Sequence, residues 1–178
     1  MALMENACEN GVKLITEAPA VRIERSDDKW IVITPKGEIH AKYVINTAGL
    51  YADVVSGLAG DDSFKITPVK GEEYILDRNV GKLLNHVVEA ASLDIIALPT
   101  AHDNLLIGTT VVEADKDDFR TTGEGFGSIL RDVRKVVEGI SPKDVITSFA
   151  GLRAMNNVTE DYIIEYSKKA DNWINVSV

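Results

Sequence analysis

The sequence predicts a mixed α/β and α+β fold, in which an α/β portion formed by residues 1–65 and 155–178 is interrupted by an antiparallel domain of residues 66–154. Two observations predict this arrangement. At 44–58 a buried apolar run leads through a turn of small residues into a helix, which is typical of α/β architecture. From Pro68 onward, short apolar runs follow one another with turn residues between them, which is typical of an antiparallel sheet.

Residues 1–65 are predicted to hold two helices and a ribbon of strands. Residues 1–10 are compatible with a helix, and Gly11 lies where a glycine often ends one. A second, short helix is expected at Leu50–Leu58. Strands are expected at VKLI (12–15), AVRIE (20–24), KWIVIT (29–34) and EIHAKYVIN (38–46). Turns between them are expected at Asp27-Asp28 and Pro35-Lys36-Gly37. The hairpins among them predict an antiparallel ribbon inserted into a larger sheet.

The remaining chain is predicted to form serial strands and one amphipathic helix. The helix is expected over 122–138, where apolar side chains recur on one face, and Thr121 and Glu124 have the spacing of a capping box. Strands are expected at 65–76, 86–89, 95–98, 104–110, 145–150, 161–166 and 173–177. The first helix lacks an N-cap and the last strand stops inside an apolar run. We therefore expect the chain to be an internal part of a longer one.

Composition and charge exclude several classes of function. The chain has 178 residues and a net charge of −9, which repels phosphate backbones and argues against a nucleic-acid partner. The negative net charge does not exclude a small anionic substrate. Salt screens the distant charges, so one or two nearby Arg or Lys side chains determine the local field. A single cysteine, Cys8, rules out an internal disulfide. No metal site is expected from the scattered histidines His40, His86 and His102.

No targeting or membrane-spanning segment is recognisable in the sequence. There is no run of about 18 apolar residues, and the first residues lack the basic head and apolar stretch of a signal peptide. The lone cysteine fits a reducing compartment. We therefore expect a cytoplasmic protein.

The segment VINTAGLYAD at 44–53 is the first candidate site. It combines a buried strand, a turn of small residues and a helix start. Small residues at the end of a strand let a cofactor approach the backbone. An ordinary strand-to-helix turn would show the same pattern, so both interpretations stay open here.

Arg153, in the segment VITSFAGLRAMN at 145–156, is the second candidate. It follows Ala150-Gly151, and its planar guanidinium can bind a carboxylate or phosphate through two parallel hydrogen bonds. The alternative is a surface salt bridge to one of the 28 acidic residues.

Two further candidates, Lys70 and His102, lie in the antiparallel domain. Lys70 precedes Gly71 inside a predicted strand, where a glycine often marks close approach by a ligand or a neighbouring backbone. His102 lies between two apolar strands, where a histidine is more often solvated than catalytic. The glycine-rich GEGFG at 123–127 follows a polar loop, not a strand, and is not interpreted as a dinucleotide site.

Five segments in order resemble the FAD-dependent glycerol-3-phosphate dehydrogenases, especially the anaerobic type, of the D-amino-acid-oxidase-like superfamily. They are VINTAGLYAD, PVKGEEY, LPTAHDNLLIGTT, ITSFAGLRA and DYIIEYS. The resemblance covers nearly the whole chain. It implies that residues 1–65 belong to a partial, Rossmann-like FAD-binding domain and that residues 66–154 form the antiparallel substrate domain. Residues 155–178 would return to the FAD-binding domain.

The resemblance also implies roles for individual residues. Val21 would lie against the adenine end of FAD through its backbone, and Thr47, Ala48 and Gly49 would approach the nucleotide portion. Arg153 matches the arginine that binds the substrate anion. Lys70 and His102 are weaker candidates for pocket contacts. The implied reaction moves a hydride from a secondary alcohol carbon to the flavin while a base takes the hydroxyl proton.

Departures from the family set further expectations. The glycine-rich strand, turn and helix that cradle the FAD pyrophosphate have no counterpart in this sequence, so we expect this chain alone to hold no FAD and to be inactive. For the whole protein, oxidation of L-2-hydroxyglutarate or of another 2-hydroxy or amino acid is an alternative. So is a non-catalytic binding or assembly module. An electron-acceptor subunit or peripheral membrane association of the parent enzyme also stays open.

Overall fold

The computed structural model describes residues 1–159 and 161–177, and contacts divide them into two compact units. The first unit comprises residues 1–63 and 163–177, and the second comprises residues 64–162. The described residues of 155–162, which the sequence assigned to the return segment, therefore lie with the antiparallel unit.

The first unit combines a ribbon with a small mixed sheet and two helices. Its elements before residue 64 are α1 (Ala2–Glu9), β1 (Arg22–Ser26), β2 (Lys29–Thr34), β3 (Gly37–Ala41), β4 (Val44–Asn46), a 3₁₀ turn (Gly49–Tyr51) and α2 (Ala52–Leu58). The antiparallel ribbon has the order β1-β2-β3. The core of this unit includes Trp30, whose ring packs edge to face against that of Trp173, with 5.4 Å between the ring centroids.

The second unit is one antiparallel sheet with a helix on one face. Its elements are β5 (Ile66–Leu76), a 3₁₀ turn (Gly81–Leu83), β6 (Val88–Ala90), a 3₁₀ turn (Ala91–Leu93), β7 (Ile95–Pro99), β8 (Leu105–Gly108), β9 (Val112–Glu113), α3 (Gly123–Val133), a 3₁₀ turn (Pro142–Asp144) and β10 (Val145–Asn156). The strand order is β10-β5-β8-β7-β6, with β9 also on β5. Alternate residues of β5 are buried, and Tyr74 and Leu76 pack in one core with Ile129 and Val133 of α3.

Two strands return to the first unit, β11 (Ile163–Tyr166) and β12 (Trp173–Ser177). The sheet order is β11-β12-β4, in which β12 pairs antiparallel with β11 and parallel with β4. The first unit thus combines helices with a partly parallel sheet, and the second is an antiparallel sheet with a helix. This confirms the predicted mixed α/β and α+β fold class.

Most predicted elements of the first unit are present, but the single strand predicted over 38–46 is two strands, β3 and β4, in different sheets, and one predicted strand is absent. The first helix ends as expected, with Gly11 at a φ of 92° and its amide bonded to the carbonyl of Cys8. The run 12–15 is not a strand, although its composition favours one. Val12 and Leu14 are exposed, and no described strand pairs with the run. A strand needs a neighbour for its backbone groups, and apolar residues alone do not supply one.

The amphipathic helix is shorter than predicted. It ends at Val133 and not at residue 138, and the chain continues in turns up to Gly139, which has a φ of 87°. Its N-cap is Thr122, whose hydroxyl accepts from the amide of Gly125 at 2.9 Å, so the capping box predicted at Thr121 is wrong. Beyond the end of the helix the apolar pattern no longer follows one helical face, and Val136 is 38% exposed whereas Val137 is 4% exposed.

Candidate functional site

The turn Thr47–Gly49 connects β4 to α2 through exposed backbone. Its three residues are exposed, and Gly49 adopts a φ of 56°, which favours glycine. Thr47 and Ala48 line a pocket of about 550 Å³, called here the turn pocket. The other walls are mostly apolar and include Ala20, Ile23, Val32, Val55 and Trp173. An apolar pocket beside exposed backbone of small residues suits a flat heteroaromatic ring and the sugar attached to it.

Asn46 shapes this turn, and sequence reasoning missed it. The side chain is 3% exposed. Its Oδ1 accepts from the amide of Ala48 at 3.3 Å, and its Nδ2 donates to the carbonyl of Ala52 at 2.8 Å. One buried amide therefore bridges the middle of the turn and the start of α2. An asparagine at the end of a strand favours such local bonds, which was the available signal.

Val21 lies outside the lining of the turn pocket, although Pro19 and Ala20 belong to it. Its amide donates to the carbonyl of Ile33 at 2.9 Å, so its backbone extends the pairing of β1 with β2. The side chain is 55% exposed. A backbone contact from Val21 to an adenine stays a prediction.

Arg153 lies on the face of the large sheet opposite to α3. It pairs with Val69 in the register of β10 with β5, so the two side chains share one face. Arg153 is exposed and lines a pocket of about 380 Å³, called here the arginine pocket, with Glu73, Asp94 and Thr109. Within residues 1–159 and 161–177, Arg153 makes no salt bridge. Its guanidinium donors therefore have no carboxylate partner among these residues and could bind a small anion.

Lys70 is separated from Arg153 by the sheet itself. As the neighbour of Val69 on β5, it points to the opposite face. Lys70 is 7% exposed, and its Nζ donates to Oδ2 of Asp118 at 3.0 Å. Arg120 also binds Asp118, and the hydrogen bonds from Arg120 and Lys70 hold the pKa of Asp118 well below its usual range. This arrangement gives Lys70 a structural partner away from the arginine pocket.

His102 lies at the exposed turn between β7 and β8. Leu105, next to that turn, pairs with Leu76, whereas Arg153 pairs with Val69 at the other end of β5. Seven residues of strand correspond to roughly 23 Å at about 3.3 Å per residue. The structure therefore does not bring His102, Lys70 and Arg153 together. Their catalytic roles stay predictions. Of the three, only Arg153 lines a pocket on the face of the sheet opposite to α3.

Gly71 is explained by a neighbouring side chain. A Cβ at Gly71 would lie 2.4 Å from Oγ1 of Thr109, so the glycine admits the chain that follows β8. Thr110 next to it accepts from the amide of Glu72 at 3.1 Å. Of the two origins expected for a glycine in this strand, a ligand or a neighbouring segment, the structure shows the neighbouring segment.

Neither a metal cluster nor a membrane-spanning helix is found in the described part of the chain. No group of three or more His, Cys, Asp or Glu side chains among residues 1–159 and 161–177 could hold a metal ion. No helix among the same residues is long and apolar enough to cross a bilayer.

Comparison with known proteins identifies related sequences and structures. A sequence model of the family described as FAD dependent oxidoreductase matches residues 1–177. A glycerol 3-phosphate dehydrogenase of Caloramator mitchellensis is 38% identical over 99% of this chain and 38% of its own length. A glycerol 3-phosphate oxidase of Mycoplasma pneumoniae is 27% identical over 94% of this chain and 46% of its own. The chain thus spans less than half the length of these curated relatives.

A solved structure shows that the fold is shared with such proteins. The dithionite-reduced L-alpha-glycerophosphate oxidase from Mycoplasma pneumoniae, with FAD bound, superposes with a TM-score of 0.89 at 25% identity. The match covers 98% of this chain and 48% of that one. Both units described above therefore have counterparts in a larger fold.

Proposed function

Since the chain belongs to the FAD-dependent oxidoreductase family, we propose that the whole protein is a flavoenzyme that oxidises glycerol-3-phosphate at its secondary alcohol. The observation that carries the proposal is the exposed guanidinium of Arg153, which has no ion-pair partner among the described residues and lines a pocket. The names of the two curated relatives, a glycerol 3-phosphate dehydrogenase and an oxidase, support this choice of substrate.

The turn pocket is the proposed contact for part of FAD. Its volume of about 550 Å³ lies within the range of small-molecule sites, and its walls are mostly apolar. Ala48 and Gly49 present backbone without large side chains, and an added Cβ at Gly49 would meet nothing within 4 Å, so there is room beside it. These residues fit the adenosine portion of the cofactor. When bound, FAD supplies the acceptor for the hydride.

The arginine pocket is the proposed substrate site. Arg153 binds the phosphate of the substrate through its planar guanidinium, which matches two phosphate oxygens at once. Glu73 lies on β5 on the same face of the sheet as Arg153, and it lines the same pocket. Its carboxylate can therefore accept a hydrogen bond from a substrate hydroxyl. A substrate with an anionic end and hydroxyl groups would satisfy both. The carboxylate of a 2-hydroxy acid would also pair with Arg153, which makes L-2-hydroxyglutarate the nearest competitor.

Location and partners complete the proposal. The lone cysteine, Cys8, suits a reducing compartment, and we place the protein in the cytoplasm. Oxidation of the substrate leaves two electrons on the flavin. An acceptor must remove them, and an acceptor subunit or a peripheral contact with a membrane would provide one.

The test uses the full polypeptide that carries this chain, purified with FAD. Its flavin absorbance is followed without oxygen after addition of glycerol-3-phosphate, L-2-hydroxyglutarate or glycine. We expect rapid bleaching with glycerol-3-phosphate and slow or no bleaching with the others. Bleaching by another substrate in preference would replace the proposed substrate. No bleaching by any of them would favour the non-catalytic module.

A further inference from the structure

A buried polar network lies behind the turn Thr47–Gly49. Its centre is Asn175 on β12, which is 2% exposed and pairs with Asn46 across the parallel ladder. Oδ1 of Asn175 accepts from Nδ2 of Asn46 at 3.1 Å. The same oxygen accepts from the hydroxyl of Ser56 at 3.1 Å and from the indole of Trp173 at 2.8 Å. Asn175 is not among the residues lining the turn pocket.

The network has one possible orientation because its two ends have fixed polarity. The indole N–H of Trp173 can only donate, so the oxygen of Asn175 must face it. The amide nitrogen of Asn175 then faces Oδ2 of Asp61, to which it donates at 3.0 Å. An ionised carboxylate can only accept. A flipped Asn175 would set donor against donor at one end and acceptor against acceptor at the other.

Asp61 is held in the ionised form that this orientation needs. It is 1% exposed. Burial alone would raise the pKa of Asp61, but hydrogen bonds from Ser167, Ser63 and Asn175 outweigh burial and hold it below its usual value. The carboxylate thus anchors the acceptor end of the network.

The same logic reaches the turn through Asn46. Because the oxygen of Asn175 faces it, Asn46 must present its nitrogen there and to Ala52, which leaves its oxygen for the amide of Ala48. The donor and acceptor ends of both side-chain amides are therefore fixed, from Asp61 through Asn175 and Asn46 to the backbone amide of Ala48. Fixed networks of this kind define one conformation more sharply than isolated pairs do.

We infer that Asn175 is a positioning residue for the cofactor, because it fixes the amide of Asn46 and through it the backbone of Thr47–Gly49. This inference rests on the proposed contact of that turn with FAD. It adds a determinant of cofactor affinity that does not itself line the turn pocket, although it binds two residues that do, Asn46 and Trp173. Loss of Asn175 releases Asn46 to rotate, and the amide of Ala48 then loses its fixed acceptor.

The test is a double-mutant cycle in the full polypeptide, made with Asn175→Leu, Asn46→Ala and both together. Two quantities are measured, FAD affinity by flavin fluorescence and hydrogen exchange of the Ala48 amide in the apoprotein. Asn175→Leu alone should weaken FAD binding about tenfold and speed the exchange several-fold. In the Asn46→Ala background it should change FAD affinity less than about twofold. At saturating FAD, the KM for substrate should stay unchanged in every variant.

Ser56→Ala is the matched control, since it removes one donor to Asn175 but leaves the contact with Asn46. It should bind FAD like the wild type. If Asn175→Leu does not fold, Asn175→Ser takes its place. That variant removes the amide oxygen to which Asn46 donates but leaves a small polar group in the buried site, so exchange at Ala48 must still rise.

Three results would overturn the inference. They are wild-type exchange at Ala48 in Asn175→Leu or its substitute, wild-type FAD affinity, and an undiminished effect of Asn175→Leu in the Asn46→Ala background. The last would mean that Asn175 acts through Trp173 or through general stability, and not through Asn46. The proposed contact of the turn with FAD fails separately, when FAD binding to the wild type leaves exchange at Thr47–Gly49 unaltered. The exchange comparison in the apoprotein then still decides whether Asn175 fixes the backbone of the turn.

Discussion

The carboxylate of Glu72 accepts two hydrogen bonds from Thr122, one from its backbone amide at 2.8 Å and one from its hydroxyl at 2.9 Å. Glu72 is 3% exposed, and it also accepts from the hydroxyl of Tyr74 at 2.9 Å. Burial, together with the bond to Glu72 and its negative charge, raises the pKa of Tyr74 far above its usual value. A carboxylate on β5 thus sets the residue at which α3 begins.

Removing the cap should destabilise the antiparallel unit. The hydroxyl of Thr122 accepts from the amide of Gly125 and donates to Glu72, so Thr122→Ala leaves a helix donor and a buried carboxylate oxygen without partners. We expect a loss of about 1–2 kcal/mol in the free energy of unfolding, measured by urea denaturation. Thr122→Ser should restore most of it.

Thr121→Ala is the control for this experiment, because sequence spacing pointed to Thr121 as the cap. Its hydroxyl meets that of Ser148 at 3.1 Å and does not cap α3. The substitution should cost less than about 0.5 kcal/mol. A larger loss for Thr121→Ala than for Thr122→Ala would contradict the cap seen in the structure.

Two glycines of α3 should respond in opposite directions to alanine. A Cβ at Gly125 would lie 2.5 Å from Oε2 of Glu72, which three hydrogen bonds hold in place, so we expect Gly125→Ala to cost about 1–3 kcal/mol. At Gly127 an added Cβ meets nothing within 4 Å. Gly127→Ala should therefore stabilise the protein by about 0.5–1 kcal/mol through helix propensity. Equal midpoints of urea unfolding for the two variants would refute the close contact at Gly125.

Features encoded by neighbouring residues could be predicted from the sequence, whereas those that depend on distant partners could not. Strand β2 lies at Lys29–Thr34 as predicted, because apolar residues and flanking turns define it locally. The start of α3 was misplaced by one residue because Glu72, which is 50 residues away, selects Thr122. The run 12–15 carries apolar side chains but lacks a described partner strand.

The residues of the candidate site also fall into those that local sequence patterns indicate and those that depend on distant partners. Thr47–Gly49 and Arg153 are visible in the sequence, since small residues after a strand and an arginine after Ala-Gly are local patterns. The pairing of Asn46 with Asn175 spans 129 residues and leaves no periodic signal. Lys70 and Arg153 are both cations on paired strands, and only the register reveals that they occupy opposite faces.

Acid should weaken the fold partly through Asp118. The hydrogen bonds from Arg120 and Lys70 lower the pKa of Asp118 in the folded state, so the unfolded state takes up its proton first as the pH falls. The stabilisation is fully present above the ordinary value of 3.8 and is lost as the pH falls from there towards the lower folded pKa. Asp118→Asn should therefore flatten the acid limb of a plot of Tm against pH below about 4. Asp117→Asn, at an exposed neighbour, should leave that limb unaltered.

The proposed role of Arg153 predicts a large kinetic effect in the full enzyme. A charge-assisted pair between its guanidinium and the substrate phosphate corresponds to about 2–4 kcal/mol, so Arg153→Ala should lower kcat/KM for glycerol-3-phosphate about 30- to 1000-fold. Arg153→Lys should recover only part of the loss, because a point charge cannot replace the planar arrangement of donors. Arg78→Ala, at an exposed arginine of the same unit, is the matched control and should stay near the wild type. Steady-state kinetics with glycerol-3-phosphate and L-2-hydroxyglutarate measure the effect. Wild-type kinetics of Arg153→Ala on the better substrate would show that Arg153 is an ordinary surface cation, and the substrate anion would have to bind elsewhere.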